Sequence, residues 1–169
     1  MQIFNRSRIA DAVRALASYI CDDREVIKGT VSWHYVDEHG MPVPGEGGTH
    51  NLVVTTGKGY FARRAINTTD AVLGWLAVGT GATAEAVGQT TLVTETARVP
   101  FDSAPTVSGN VITCVATVPA GTGTGTLQEI GLFNATGANA GTMISRALTG
   151  ALSKPAGMGI TFTWTLTLG

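Results

Sequence analysis

The plainest pattern lies at the end of the chain. Ile160, Phe162, Trp164, Leu166 and Leu168 alternate with Thr161, Thr163, Thr165 and Thr167. Successive side chains of a strand point to opposite faces, so this run predicts a strand with one face on a core and a threonine face outward. Residues 110–118 repeat the pattern, with Ile112, Cys114, Ala116 and Val118 on one side and Val111, Thr113, Val115 and Thr117 on the other. Residues 71–81 (AVLGWLAVGTG) read as a buried strand stopped by a glycine turn, and residues 126–133 and 142–148 as two more strands. Short strands separated by Gly-rich turns predict a mainly β fold, an antiparallel β-sandwich of jelly-roll type. Phe162, Trp164, Leu166, Ile112 and Val118 are its expected core.

The pattern before residue 71 is different. Ile9, Val13, Leu16 and Ile20 fall at i, i+4, i+7 and i+11, one face of a helix, with Arg6, Arg8, Asp11 and Arg14 off that face. Asn5 or Ser7 supplies the N-cap. Residues 26–36 (VIKGTVSWHYV) are β-branched and aromatic and predict a strand, with Gly29 as a candidate bulge. Residues 37–48 hold Pro42, Pro44 and several glycines and read as a loop. Residues 51–66 begin apolar and end helix-like, with Tyr60, Phe61, Ala65 and Ile66 on one face and Arg63 and Arg64 pointing outward.

Charge sharpens the division. Residues 1–70 hold 16 charged side chains; residues 71–169 hold seven, namely Glu85, Glu95, Arg98, Asp102, Glu129, Arg146 and Lys154. The expected organisation is therefore an N-terminal arm over residues 1–49, made of helix, strand and loop, followed by a β-sandwich domain over residues 50–169. A helix of about 15 residues with an apolar stripe must bury it, on its own β-domain or on a neighbouring subunit. The composition break and the 37–48 segment favour a semi-independent docking arm. Ile9, Val13, Leu16, Trp33 and Tyr35 would be its anchors, and Arg6, Arg8 and Arg14 would meet acidic groups on the partner.

Composition removes several function classes. With 169 residues the chain buries about 70% of its unfolded surface and needs no staples. Charged residues are 14% and the net charge is −1, which argues against binding nucleic acid by phosphate neutralisation. No run approaches the ~18 apolar residues of a membrane span, so no membrane role is expected. Two cysteines, Cys21 and Cys114, build neither a disulfide framework nor a zinc site.

Candidate chemistry is sparse. The glycines of residues 79–88 (GTGATAEAVG) lack both the dinucleotide fingerprint and the GK[ST] ending of a phosphate loop, and read as turns. His34, Asp37, Glu38 and His39 cluster without a metal-ligand spacing. No nucleophile elbow or Cys/His setting is present, so no catalytic residue, cofactor or metal is expected. Glu95, Arg98 and Glu129 are charges inside apolar runs. Such groups are buried only when paired, so they predict a structural ion-pair cluster with Arg98 as the leading partner of Glu129.

The ordered segments NLVVTTGKGYFARR, WLAVGTGATA, TTLVTETAR, TLQEIGLFNA, GTMISRALTG and ITFTWTLTL span residues 50–169. Taken in that order, they resemble a family of small structural proteins encoded among the capsid, tail and baseplate genes of tailed bacteriophages. The resemblance implies a β-sandwich that assembles into the virion without catalysis. It also implies structural roles for Glu95, Arg98, Glu129, Gly131 and Phe133. The expected function is a capsid cement or decoration subunit that stabilises the assembled shell, with the major capsid protein as the favoured partner. A tail, neck or baseplate component is the alternative, and a carbohydrate-binding module a more distant one. Low charge and threonine faces predict a homo-oligomer, a dimer or trimer, assembled into the virion within the host cytoplasm.

Overall fold

The computed structural model describes residues 27–66, 69–138 and 140–169. Nine strands and one helix follow in the order β1 (Ile27–Val36), β2 (Pro42–Val53), α1 (Thr55–Ile66), β3 (Trp75–Gly79), β4 (Glu95–Pro100), β5 (Thr106–Ser108), β6 (Val111–Val118), β7 (Gly125–Phe133), β8 (Met143–Lys154) and β9 (Gly159–Leu168). The fold is mainly β, as the alternation predicts. All pairings are antiparallel, in the order β4-β3-β7-β8-β2-β1-β9-β6-β5. In place of two separate facing sheets, there is one sheet that curls into a half-barrel. Its two halves meet at a narrow seam, Leu52 and Val53 of β2 against Arg146 and Ser145 of β8. The curl brings the exit of β4 onto β6: the Asp102 amide donates to the Val115 carbonyl at 2.9 Å, and its carboxylate accepts from the Thr117 amide and hydroxyl.

The concave face holds the main core. Ile160, Phe162, Trp164 and Leu166 of β9 are fully buried there with Val118, Cys114 and Ala116 of β6 and Val31 of β1. The register read from β9 and β6 is therefore the one observed, and Ile112 packs partly buried against this cluster. Leu76, Ile130, Leu132 and Ile144 face it from the other half. A second, smaller core sits on the convex side of that half, where Ala77, Phe133 and Met143 meet Val54, Leu92 and Trp75. This double coverage explains why β7 is buried almost throughout rather than at alternate positions.

Several expectations change. The expected loop 37–48 is mostly strand: β1 and β2 form a hairpin whose turn is closed by the Asp37 carboxylate, which accepts from the amides of His39 and Met41. The glycines have a packing reason. A Cβ on Gly47 would lie 2.6 Å from the Trp33 indole, and one on Gly45 2.6 Å from the Tyr35 ring. Both aromatics thus lie flat over glycine backbone of the partner strand. Trp33 is buried in the core beside Phe162, ring centroids 6.2 Å apart, and Tyr35 is half-buried with its hydroxyl on the Ser153 carbonyl. Neither is free to anchor a partner, contrary to expectation. The irregularity in β1 falls between His34 and Tyr35 rather than at Gly29, whose missing side chain makes room for Asn51.

The boundary expected at 49/50 cuts through β2, and β1 pairs with β9 along ten residues, so residues 27–49 belong to the same β unit as the rest. The expected helical arm, with Ile9, Val13, Leu16, Arg6, Arg8 and Arg14, lies outside the described residues. In α1 the buried positions are Gly57 and Tyr60, while Ala65 and Ile66 are exposed and Arg64 is half-buried. The helix turns about 100° per residue, so 57, 60 and 64 share a face, and the expected face was rotated. Gly57 is obligatory there, because a Cβ would meet the Ile144 carbonyl oxygen at 2.0 Å.

Candidate functional site

Five of the seven charges of residues 71–169, Glu85, Glu95, Arg98, Glu129 and Arg146, gather on the convex side of the β4-β3-β7-β8 half. The register places Arg98, Ala77, Gly131 and Arg146 in one row across four strands, and Glu95, Gly79, Glu129 and Leu148 in the next. Small residues in the middle leave room for the long ionic side chains to lie flat over the sheet.

Glu129 is fully buried. Its Oε1 accepts from the Gly81 amide at 3.1 Å and the Thr94 amide at 2.7 Å; its Oε2 accepts from the Val93 amide at 3.0 Å and from Arg146 Nε at 2.9 Å. Arg146, also fully buried, carries its Nη2 within 2.9 Å of the same Oε2 and donates from Nη2 to the Thr83 carbonyl and from Nη1 to Gln89 Oε1. The expected burial and pairing of Glu129 are seen, but the expected partner is corrected: it is Arg146, on the neighbouring strand β8. Arg98 is held elsewhere. Its Nε and Nη2 form a fork on Glu95 at 2.8 and 2.7 Å, its Nη1 donates to the carbonyls of Ala135 and Ala140, and the guanidinium stacks 3.7 Å from the Phe133 ring centroid. Glu95, Arg98 and Glu129 thus form two clusters on one face rather than one triad.

The first cluster pins a strap, residues 80–94, across the convex face. Besides the Glu129 and Arg146 contacts, the Leu148 amide donates to Glu85, the Thr55 amide at the start of α1 donates to the Val87 carbonyl, and Leu92 fills the outer core. Gly81 is a packing requirement: a Cβ there would sit 2.4 Å from Glu129 Oε1. The second cluster ties edge strand β4 to the 134–141 turn.

Chemically this arrangement holds rather than reacts. Each Glu129 oxygen already accepts two hydrogen bonds, and neither it nor Arg146 touches solvent, so no substrate reaches the pair. The remaining charges behave alike. Asp102 binds Thr117, and Lys154, buried, donates to the carbonyls of Pro119 and Met158, with burial pushing its ammonium pKa down. Sequence reasoning missed Arg146 and Lys154, although Arg146 interrupts an apolar run as Glu129 does. Near His34 and His39, Asp37 is engaged by turn amides, and among the described residues no group of three His, Cys, Asp or Glu is placed to hold a metal ion. Also among the described residues, no helix is long and apolar enough to cross a membrane.

The opposite half presents a different convex surface. His50, Thr30, Thr165, Thr113 and Thr106 form one row across five strands, and Ser32, Thr163 and Val115 lie in the next. Hydroxyls bridge the strands, Thr30 to Thr165 at 2.8 Å and Thr117 to Thr161 at 2.9 Å. Searches against family models, curated proteins and solved structures find no match to this chain.

Proposed function

We propose that this chain is a non-enzymatic structural protein of a tailed-bacteriophage virion, a cement or decoration subunit that binds the assembled shell. The observation that supports this most is the use made of charge. All seven charged side chains of residues 71–169 are hydrogen-bonded into the scaffold, and four of them, Glu95, Arg98, Glu129 and Arg146, occur in the segments that carry the family resemblance, while Glu85, Asp102 and Lys154 fall outside. What remains outward on the β2-β1-β9-β6-β5 half is a broad threonine face with little charge. Such a surface suits docking by area rather than chemistry. A subunit that binds the shell and not its dissociated parts stabilises the shell by mass action. The major capsid protein is the favoured partner, and self-association as a dimer or trimer fits the same face. A carbohydrate-binding role loses its motive, because Trp33 and Tyr35 are packed on glycine backbone.

The test is the copy number of the chain in purified particles of the virus that encodes it. Hundreds of copies per particle are expected. A dozen or fewer would move the protein to the tail, neck or baseplate, and none would overturn the virion reading.

A further inference from the structure

A cleft of about 340 Å³ opens between α1 and the segment leading into β5 and β6. Tyr60, Phe61, Val72, Leu73 and Ile112 line it, and Arg64 is the charged residue on its wall. Apolar surface continues at its rim, where Val72 is 66% exposed. We propose that this cleft is the seat of the amphipathic segment 9–20 of the same chain, which places the apolar stripe of Ile9, Val13, Leu16 and Ile20 against Phe61, Val72 and Ile112.

Three observations select this occupant. The first is where the chain enters the sheet. β1 starts at Ile27, paired with Leu168, whose amide donates to the Asn110 carbonyl; Ile112 on the cleft wall pairs with Leu166, which pairs with Gly29. The chain therefore enters β1 at the cleft end of the sheet, two strands from Ile112, or roughly 10 Å. Residues 21–26 reach up to about 20 Å when extended, enough to cross that gap. The second is the stripe itself, which is unstable in water and needs an apolar seat. The third is charge. The connecting residues carry Asp22, Asp23 and Glu25 against Arg24, while α1 presents Lys58, Arg63 and Arg64. Arg63 is paired with Asp70, but among the described residues no carboxylate pairs with Arg64, whose Nη1 donates to the Asp70 carbonyl. An arm seated here is a cap on its own β unit, not the outward docking arm the composition break suggests. The inference stands independently of the virion reading.

The test uses the full chain with Cys21→Ser, Leu16→Cys and Val72→Cys, under mild oxidation. The expected product is a monomer with a disulfide joining positions 16 and 72, formed about tenfold more slowly when Ile9→Asp and Val13→Asp are added. A disulfide-linked dimer would overturn the proposal in favour of a second copy as occupant. Two thiols that stay open and react freely with a maleimide would overturn it in favour of a seat elsewhere. Hydrogen exchange on the chain without new cysteines is the second measurement. Ile9→Asp with Val13→Asp should speed exchange at Phe61 and Leu73 about tenfold while β9 stays unchanged, and equal rates at Phe61 and Leu73 would also overturn it.

Discussion

A carboxylate buried as deeply as Glu129 persists only because Arg146 of β8 and three amides of the strap all turn donors toward it. Removing Arg146 strands that charge in the interior, so Arg146→Met should cost about 3–5 kcal/mol in denaturant unfolding. Arg146→Lys should recover little of this, because one ammonium cannot reach Glu129, Gln89 and the Thr83 carbonyl in the planar fork that Arg146 uses. A double-mutant cycle of Glu129→Gln with Arg146→Met should show coupling of more than about 1 kcal/mol, since the two side chains share one network. Cys114 sets a different dependence. Burial pushes its thiol up to about 12. In the unfolded chain it ionises near pH 9, so the folded state binds more protons above that pH. The stability this contributes is full below about pH 9 and is lost between about pH 9 and 12, at up to about 1.4 kcal/mol per pH unit. Unfolding curves at pH 8, 9 and 10 should show the decline begin, and Cys114→Ala should flatten it whatever its cost at neutral pH.

Among the elements, the strap is where a single methyl group has the clearest consequence. Gly81→Ala drives a Cβ into Glu129 and should cost at least about 1–3 kcal/mol. Gly88→Ala, on the same strap with nothing within 4 Å of its Cβ, should change stability by less than about 0.5 kcal/mol. Thermal or denaturant melts of the two variants side by side check the difference. This contrast also marks how far the sequence could be read. The alternation in β6 and β9 is visible because each strand has one buried face, and the period-two signal survives. β2 was hidden, because its side of the hairpin is glycine where Trp33 and Tyr35 lie across it, so its packing role has no hydrophobic letters. β7 gives a continuous apolar run that alternation cannot resolve, and its Glu129 shows a buried charge without showing which strand is its neighbour. Pairing order decides that: β8 brings Arg146 beside it, while Arg98 sits two strands away on β4. The strap reads as a turn because what fixes it is a distant carboxylate rather than a local motif.

Across the molecule, charge is drawn inward over one half, while the other presents a hydroxyl surface with charges at its margins, among them Lys28, Glu46 and Asp102. The five-strand threonine face covers roughly 500 Å², below the ~800 Å² per partner of a standard interface. Self-association through it should therefore be weak, seen by sedimentation as a concentration-dependent dimer or trimer at tens of micromolar. Thr163→Arg should abolish it without lowering the melting temperature by more than a few degrees. A strict monomer for both chains would remove the face as a self-contact. The buried ionisable residues weld strap, edge strand and sheet into one cooperative unit. Native-state hydrogen exchange at Gly81, Val93 and Thr94, the three amides that donate to Glu129, measures whether they open together with the core. These amides should open within about 1 kcal/mol of the free energy of the β9 core amides, because releasing them requires unfolding the whole. Exchange through openings several kcal/mol cheaper, with β9 still protected, would instead show a strap that opens on its own and is not welded to the sheet.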